Sequence, residues 1–214
     1  MARGYLKILE LSTEDLTSPL EMAREQGGPR TASTKDLSHV SEIIRDIQNK
    51  VTHKGKRKAY DDLTADERRR MGNYTSMGWA FERVIEAALR DVWSVYFRSR
   101  DRYQKPGELV LDGICGTPDW IDLQDWTVGE FKATWRSSRR SIEVDFWSWL
   151  CQIKAYCKLL ATKSARLYVF FVNGDYRESG PQLKAYAIQF TDAEIEENWQ
   201  MLLQHARTLK HGSN

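Results

Sequence analysis

The aromatic residues of this 214-residue chain are distributed very unevenly, and that distribution constrains the fold more than any other feature. Of 24 Phe, Trp and Tyr, only Tyr5 and Tyr60 precede residue 74, and the first of the eight Trp is Trp79. Aromatic side chains supply most of the area a core can bury. The reading is therefore an N-terminal arm over residues 1–73 and a packed domain over residues 74–214. The arm is rich in Ser, Thr, Gly and charge. It contains one short helix, expected over Leu37 to Asn49, with Val40, Ile43, Ile44 and Ile47 at helical spacing. Basic runs follow at Lys50–Lys58 and Arg68–Arg70.

Charge and cysteine content exclude several classes. Lys and Arg number 32 against 30 Asp and Glu, a net charge of +2, which gives no global argument for or against a polyanionic partner. Cys115, Cys151 and Cys157 are too few for a disulfide scaffold and form no zinc-type array. A reducing cytosolic setting is the expectation. The charged N-terminus lacks a signal peptide, and no stretch approaches the roughly 20 apolar residues of a membrane span. The four His residues (39, 53, 205 and 211) are scattered, and phosphate-loop, GxGxxG, GxSxG and HExxH signatures are absent.

The second part of the chain reads as alternating elements. Residues 76–98 carry an amphipathic stripe from Phe81 to Tyr96. Strands are expected at Leu109–Cys115, Thr117–Asp122 and Trp126–Thr134, then a helix from Ser141 to about Ala161. Strands at Leu167–Val172 and Lys184–Phe190 follow. Thr191 and Glu194 have the spacing of a capping box for a last helix. The order α-β-β-β-α-β-β-α specifies a mixed α/β domain around one sheet.

Chemistry concentrates between Gly116 and Lys132. Side chains alternate along a strand, so Glu130 and Lys132 share a face. A reversal around Gln124-Asp125 makes positions that sum to 249 face each other, which sets Asp119 opposite Glu130 with Cβ atoms ~5 Å apart. Opposed carboxylates need a compensating cation. Lys132 is one; a hard divalent ion with oxygen ligands is another. A solvated hairpin face with a simple cross-strand ion pair would use the same residues. Two further pairs flank the buried stripes of helices: Gly78 with Glu82 before the hairpin, and Gln152 with Tyr156 after it.

Taken in order, Gly78…Glu82, Pro118-Asp119, Glu130-Phe131-Lys132 and Gln152…Tyr156 resemble the PD-(D/E)xK nuclease superfamily. The Gln-x-x-x-Tyr element is similar to that of its RecB-like and lambda-exonuclease-like branch, which includes phage-type recombination exonucleases. The resemblance covers residues 75–190. It implies a restriction-endonuclease-like αβββαβ core, with a mixed central sheet flanked by helices and the N-terminal arm added.

By that resemblance, Asp119 and Glu130 bind the catalytic metal with help from Glu82 and the backbone carbonyl of Phe131. Lys132 orients or activates the attacking water, and Gln152 and Tyr156 place the DNA strand. The cofactor implied is Mg²⁺, with Mn²⁺ as a substitute. The branch's iron–sulfur cluster is not expected, because no Cys follows residue 157. The implied activity is exonucleolytic cleavage of linear DNA in recombination or end processing. An endonuclease of restriction or junction type, and an inactive nucleic-acid-binding module, are the alternatives.

Expected partners are DNA, a single-strand annealing or other recombination protein, and further copies of the chain in a homo-oligomer. No membrane is implied, and the setting is the cytoplasm of a bacterial or phage-infected cell. Outside the acidic centre, Trp135, Arg136, Arg139 and Arg140 leave the catalytic strand with no acid before Glu143. The arginines suit phosphate contacts and the Trp suits stacking on an unpaired base. A charged loop with a partly buried Trp is the alternative.

Overall fold

The structure is a computed structural model that describes residues 6–10, 37–51, 64, 80, 102–177 and 180–211. Apart from Ala80, which is helical, the helix expected over residues 76–98, with Glu82, lies outside the described residues, as do the arm's basic positions from Lys54 to Lys58 and Arg68 to Arg70. The described elements are β1 (Leu6–Glu10), β2 (Ser38–His39), α1 (Val40–Val51), β3 (Tyr103–Gln104), β4 (Leu109–Leu111), β5 (Ile114–Gly116), β6 (Trp120–Asp122) and β7 (Thr127–Thr134). They continue with α2 (Ile142–Asp145), α3 (Trp147–Leu159), β8 (Ser164–Phe171), β9 (Gln182–Gln189) and α4 (Asp192–His211).

A six-stranded sheet in the order β1-β9-β8-β7-β6-β3 forms the centre, and β2-β5-β4 forms a smaller one. β7 and β8 run parallel, joined through α2 and α3, while β6 pairs antiparallel with β7 and β9 pairs antiparallel with β8. The architecture is α/β with a mixed central sheet flanked by helices. From β5 through β8 it follows the βββαβ order of the expected restriction-endonuclease-like core. Hydrophobic residues line both faces of that sheet. On one face, Val128, Leu167, Val169 and Phe171 pack with Ile153, Tyr156 and Cys157 of α3 and with Trp199 and Leu202 of α4. On the other, Trp120, Phe131, Tyr168, Leu183 and Ala185 form a second cluster.

The short helix placed in the arm extends over Val40–Val51, and its stripe of Val40, Ile43, Ile44 and Ile47 is buried in the larger core. Each such aliphatic contributes roughly 1.5–3 kcal/mol when fully buried. Residues ahead of Tyr74 therefore join the same core. They join the sheets as well, since β1 pairs with β9 and β2 with β5.

Two expected elements divide. The strand expected over Leu109–Cys115 is a hairpin, because Asp112 (φ 52°) and Gly113 (φ 78°) form a two-residue turn with both residues left-handed. An Asp-Gly pair favours that turn. The helix expected from Ser141 to Ala161 breaks at Phe146, whose φ of −128° leaves the helical region. Phe146 turns inward instead, stacking on Trp149 at 4.2 Å and meeting Phe171 edge-on. The Ser141 cap forms as expected, accepting from the Val144 amide.

Candidate metal and nucleic-acid site

The hairpin register is the expected one: Trp120 faces Gly129, Ile121 faces Val128 and Asp122 faces Thr127, each pair summing to 249. Alternation then puts Phe131 into the aromatic cluster and turns Glu130, Lys132 and Thr134 to the face that carries α3. β7 owes its place to burial on both sides. Five of its eight residues are buried, beginning at Thr127, and α3 lies against its α3-facing side.

Asp119 lies one residue before the backbone ladder starts. In place of a further rung, its carboxylate continues the ladder: Oδ2 accepts the Phe131 amide at 2.7 Å. That bond sets the Asp119 carboxylate against the peptide joining Glu130 to Phe131. Glu130 is 3% exposed and forms an ion pair with the partly exposed Lys132. A carboxylate this deeply buried is costly unless a cation or donors compensate it. The lysine anticipated from the sequence is therefore in contact with Glu130.

Gln152 and Tyr156 sit one turn apart on α3, and Gln152 Nε2 donates to the Tyr156 hydroxyl at 2.6 Å. Tyr156 is only 1% exposed. Its ring packs on the Gly116 backbone, where a Cβ would come within 2.8 Å of Tyr156 Cε1. Gly116 thus leaves room for the ring just before the loop to Asp119. The buried tyrosine fixes the half-buried glutamine, whose amide keeps a carbonyl oxygen and a second N–H suited to a ligand.

The four residues after β7 divide in role. Trp135 is 42% exposed, and its carbonyl accepts from the Tyr176 hydroxyl. The Arg136 guanidinium donates to the Asp145 carbonyl at 3.1 Å and lies over the Phe146 ring. Arg140 pairs with the Asp145 carboxylate at 2.6 Å. Arg139 is exposed. Arg136 and Arg140 thus hold the loop to α2, while Trp135 and Arg139 face solvent.

Sequence reasoning passed over Asp122, which has no exposed surface. Arg102 grips both its oxygens at 2.8 and 2.7 Å, the Gln124 and Asp125 amides donate to Oδ1, and Arg166 lies 3.9 Å away. Burial works to raise its carboxyl, but the Arg102 hydrogen bonds and the two amides hold it below the usual carboxylate range. Its even position two residues beyond Trp120 marks it as facing the aromatic side, away from Glu130. It braces the hairpin.

The cysteines are core residues by position. Cys115 is buried in β5, and burial pushes the Cys151 thiol up to about 11 and Cys157 still higher, which favours the protonated, unreactive form. Among the described residues no three His, Cys, Asp or Glu side chains converge on one point. Asp119 and Glu130 offer only oxygen, the donor chemistry a hard divalent cation takes. The third expected acid, Glu82, lies outside the described residues.

Several solved structures resemble this chain. An alkaline exonuclease from Laribacter hongkongensis aligns at 12% identity and a TM-score of 0.46, over 94% of each chain. A phage-related exonuclease from Haemophilus somnus 129PT aligns at 12% and 0.45, over 94% of this chain and 93% of that one. The protein SSO0001 aligns at 15% and 0.42, over 91% and 86%. No protein-family model and no curated protein matches the chain. Among the described residues no helix is long and apolar enough to cross a membrane.

Proposed function

We propose that this chain is a metal-dependent deoxyribonuclease of the PD-(D/E)xK type, acting as an exonuclease on linear DNA. The observation that carries the reading is the buried Glu130–Lys132 ion pair on β7, with the Asp119 carboxylate tied to the adjoining Phe131 amide. Burying Glu130 close to a second acid costs stability unless a cation compensates it, and Lys132 is one such cation. A metal-dependent hydrolase acting on phosphodiesters uses such a cluster to hold its cation.

Asp119 and Glu130 are the residues that would hold Mg²⁺ or Mn²⁺, with Glu82 and the Phe131 carbonyl completing the set. Such an ion would supply Lewis acidity toward the phosphate and would make water more acidic. The chain's own residues do the positioning. The Phe131 amide fixes the Asp119 carboxylate, and Glu130 fixes the Lys132 ammonium. Lys132 orients the attacking water and opposes the negative charge that grows on the phosphoryl oxygens. Gln152, steadied by Tyr156, contacts the strand being cut. The pairing of these two residues on α3 supports the exonuclease branch over a restriction-type enzyme.

The test is cleavage of linear duplex DNA by the wild type and by Asp119→Asn and Lys132→Ala. Each variant is expected to lose at least about 10²-fold in rate, the scale for removing one preorganised group. Asp119→Asn keeps its melting temperature, while Lys132→Ala lowers it because Glu130 loses its cation, and is assayed below its unfolding transition. Variants that cleave at the wild-type rate would overturn the assignment.

A further inference from the structure

A second loop meets the one that leaves the catalytic strand. Residues 172–177 begin the connection from β8 to β9, and they reach the loop after β7 at three points. The Tyr176 hydroxyl donates to the Trp135 carbonyl, Asn173 Nδ2 lies 3.5 Å from the same carbonyl, and the Ser138 amide donates to the Gly174 carbonyl at 2.8 Å. Ser138 is buried there, with its hydroxyl on Gln182 Oε1 at 2.5 Å and its carbonyl accepting from Lys184 at 3.1 Å. The two loops are therefore fixed to one another and to β9.

This junction carries two large exposed aromatic residues, one on each loop, tied by the bond from the Tyr176 hydroxyl to the Trp135 backbone carbonyl. Trp135 is 42% exposed and Tyr176 is 62% exposed. Tyr176 is also left-handed, at φ 63°, a conformation that a bulky residue adopts at a cost. Arg139 and Arg177, both exposed, carry positive charge on either loop. Trp135 follows Lys132 by three residues, which at ~3.3 Å per residue places the aromatic pair about 10 Å along the strand from the acidic centre. Exposed aromatics between cations are the chemistry that takes unpaired bases: every base offers a face to stack on, and the arginines take the phosphates.

We propose that Tyr176 and Trp135 form a stacking platform for an unpaired DNA strand, with Arg139 and Arg177 holding its backbone. The proposal deepens the nuclease reading: the platform receives the end of the strand that passes the acidic centre, so a frayed or overhanging end is preferred to a blunt one. It assigns the β8–β9 loop a part in substrate choice.

The test is fluorescence anisotropy of a labelled oligothymidine and of a blunt duplex in EDTA, so that binding is read without cleavage. Wild type, Tyr176→Asn, Tyr176→Phe and Arg177→Ala are compared, each checked by circular dichroism. Asn accepts the left-handed backbone, so the first variant removes the ring without adding strain. Tyr176→Asn is expected to weaken oligothymidine binding roughly tenfold, the size of one lost base–aromatic stack, with duplex affinity within about twofold. Tyr176→Phe keeps the affinity, and Arg177→Ala lowers the salt slope by about one.

Unchanged oligothymidine affinity in Tyr176→Asn, or equal losses on single strand and duplex, would overturn the platform. A wild type that binds oligothymidine through Tyr176 but cleaves no DNA in Mg²⁺ would leave the platform standing and refute the nuclease.

Discussion

Gly129 shows how closely single residues are fitted around the site. A Cβ there would lie 1.7 Å from Trp120 Cε2, inside the indole ring that faces it across the hairpin. Neither partner can yield easily. Trp120 is packed among Tyr103, Phe131 and Tyr168, and Gly129 adjoins Glu130 on the central strand. Gly129→Ala is expected to cost about 1–3 kcal/mol of stability, the usual range for overpacking, measured as a lower urea midpoint. Because the backbone must move at Glu130, cleavage should fall further than stability explains. A Gly inside an alternating strand signals such a close approach, so this contact was legible in the sequence in kind, although its partner was not. Asp119 is the complementary case. Its register against Glu130 followed from the turn position, but the way its carboxylate replaces a ladder carbonyl depends on β6 beginning only at Trp120.

At the scale of elements, the hairpin is braced from behind and the last helix is capped from its own sequence. Arg102 and Asp122 join β6 to the residue before β3. Asp122 is held below its unfolded value, so its contribution to stability is fully present above about pH 4 and is lost as pH falls through the folded value. Urea midpoints between pH 6 and pH 2 should therefore drop steeply in the wild type and less steeply in Asp122→Asn. Arg102→Ala leaves a buried acid without its main partner and is expected to cost about 3 kcal/mol, measured at neutral pH by the same unfolding curves.

The helix α4 begins with the reciprocal pair read from the sequence: Glu194 accepts the Thr191 amide at 2.8 Å, and Thr191 Oγ1 accepts the Glu194 amide at 3.2 Å. Thr191→Ala should cost about 1 kcal/mol, seen as a fall in melting temperature. That box was legible because both partners lie within one turn. The Arg102–Asp122 clamp was not, since its partners are 20 residues apart and neither belongs to a periodic stripe. The break at Phe146 escaped for a similar reason. The apolar spacing runs through it, and only the tertiary pull of Trp149 and Phe171 shows where the helix must stop. The Asp112-Gly113 turn was present as a local signal and was read through as a continuous strand.

Across the whole molecule, the near-neutral total of +2 separates by position. Asp119 and Glu130 gather where β6 and β7 meet on the face carrying α3, and Arg136, Arg139 and Arg140 follow at the end of β7. That separation is the one the proposed function needs: arginines at the end of β7 to attract a polyanion, and carboxylates beside them to hold a cation.

The claim at the centre of this account is tested most directly by a time course on end-labelled linear duplex and on supercoiled DNA, each with Mg²⁺ and with EDTA. Loss of the linear duplex from its ends in Mg²⁺, intact supercoiled DNA, and no cleavage in EDTA are expected. Nicking of the closed circle would contradict the exonuclease assignment. Absence of cleavage of either substrate in Mg²⁺ or Mn²⁺ would contradict the nuclease itself.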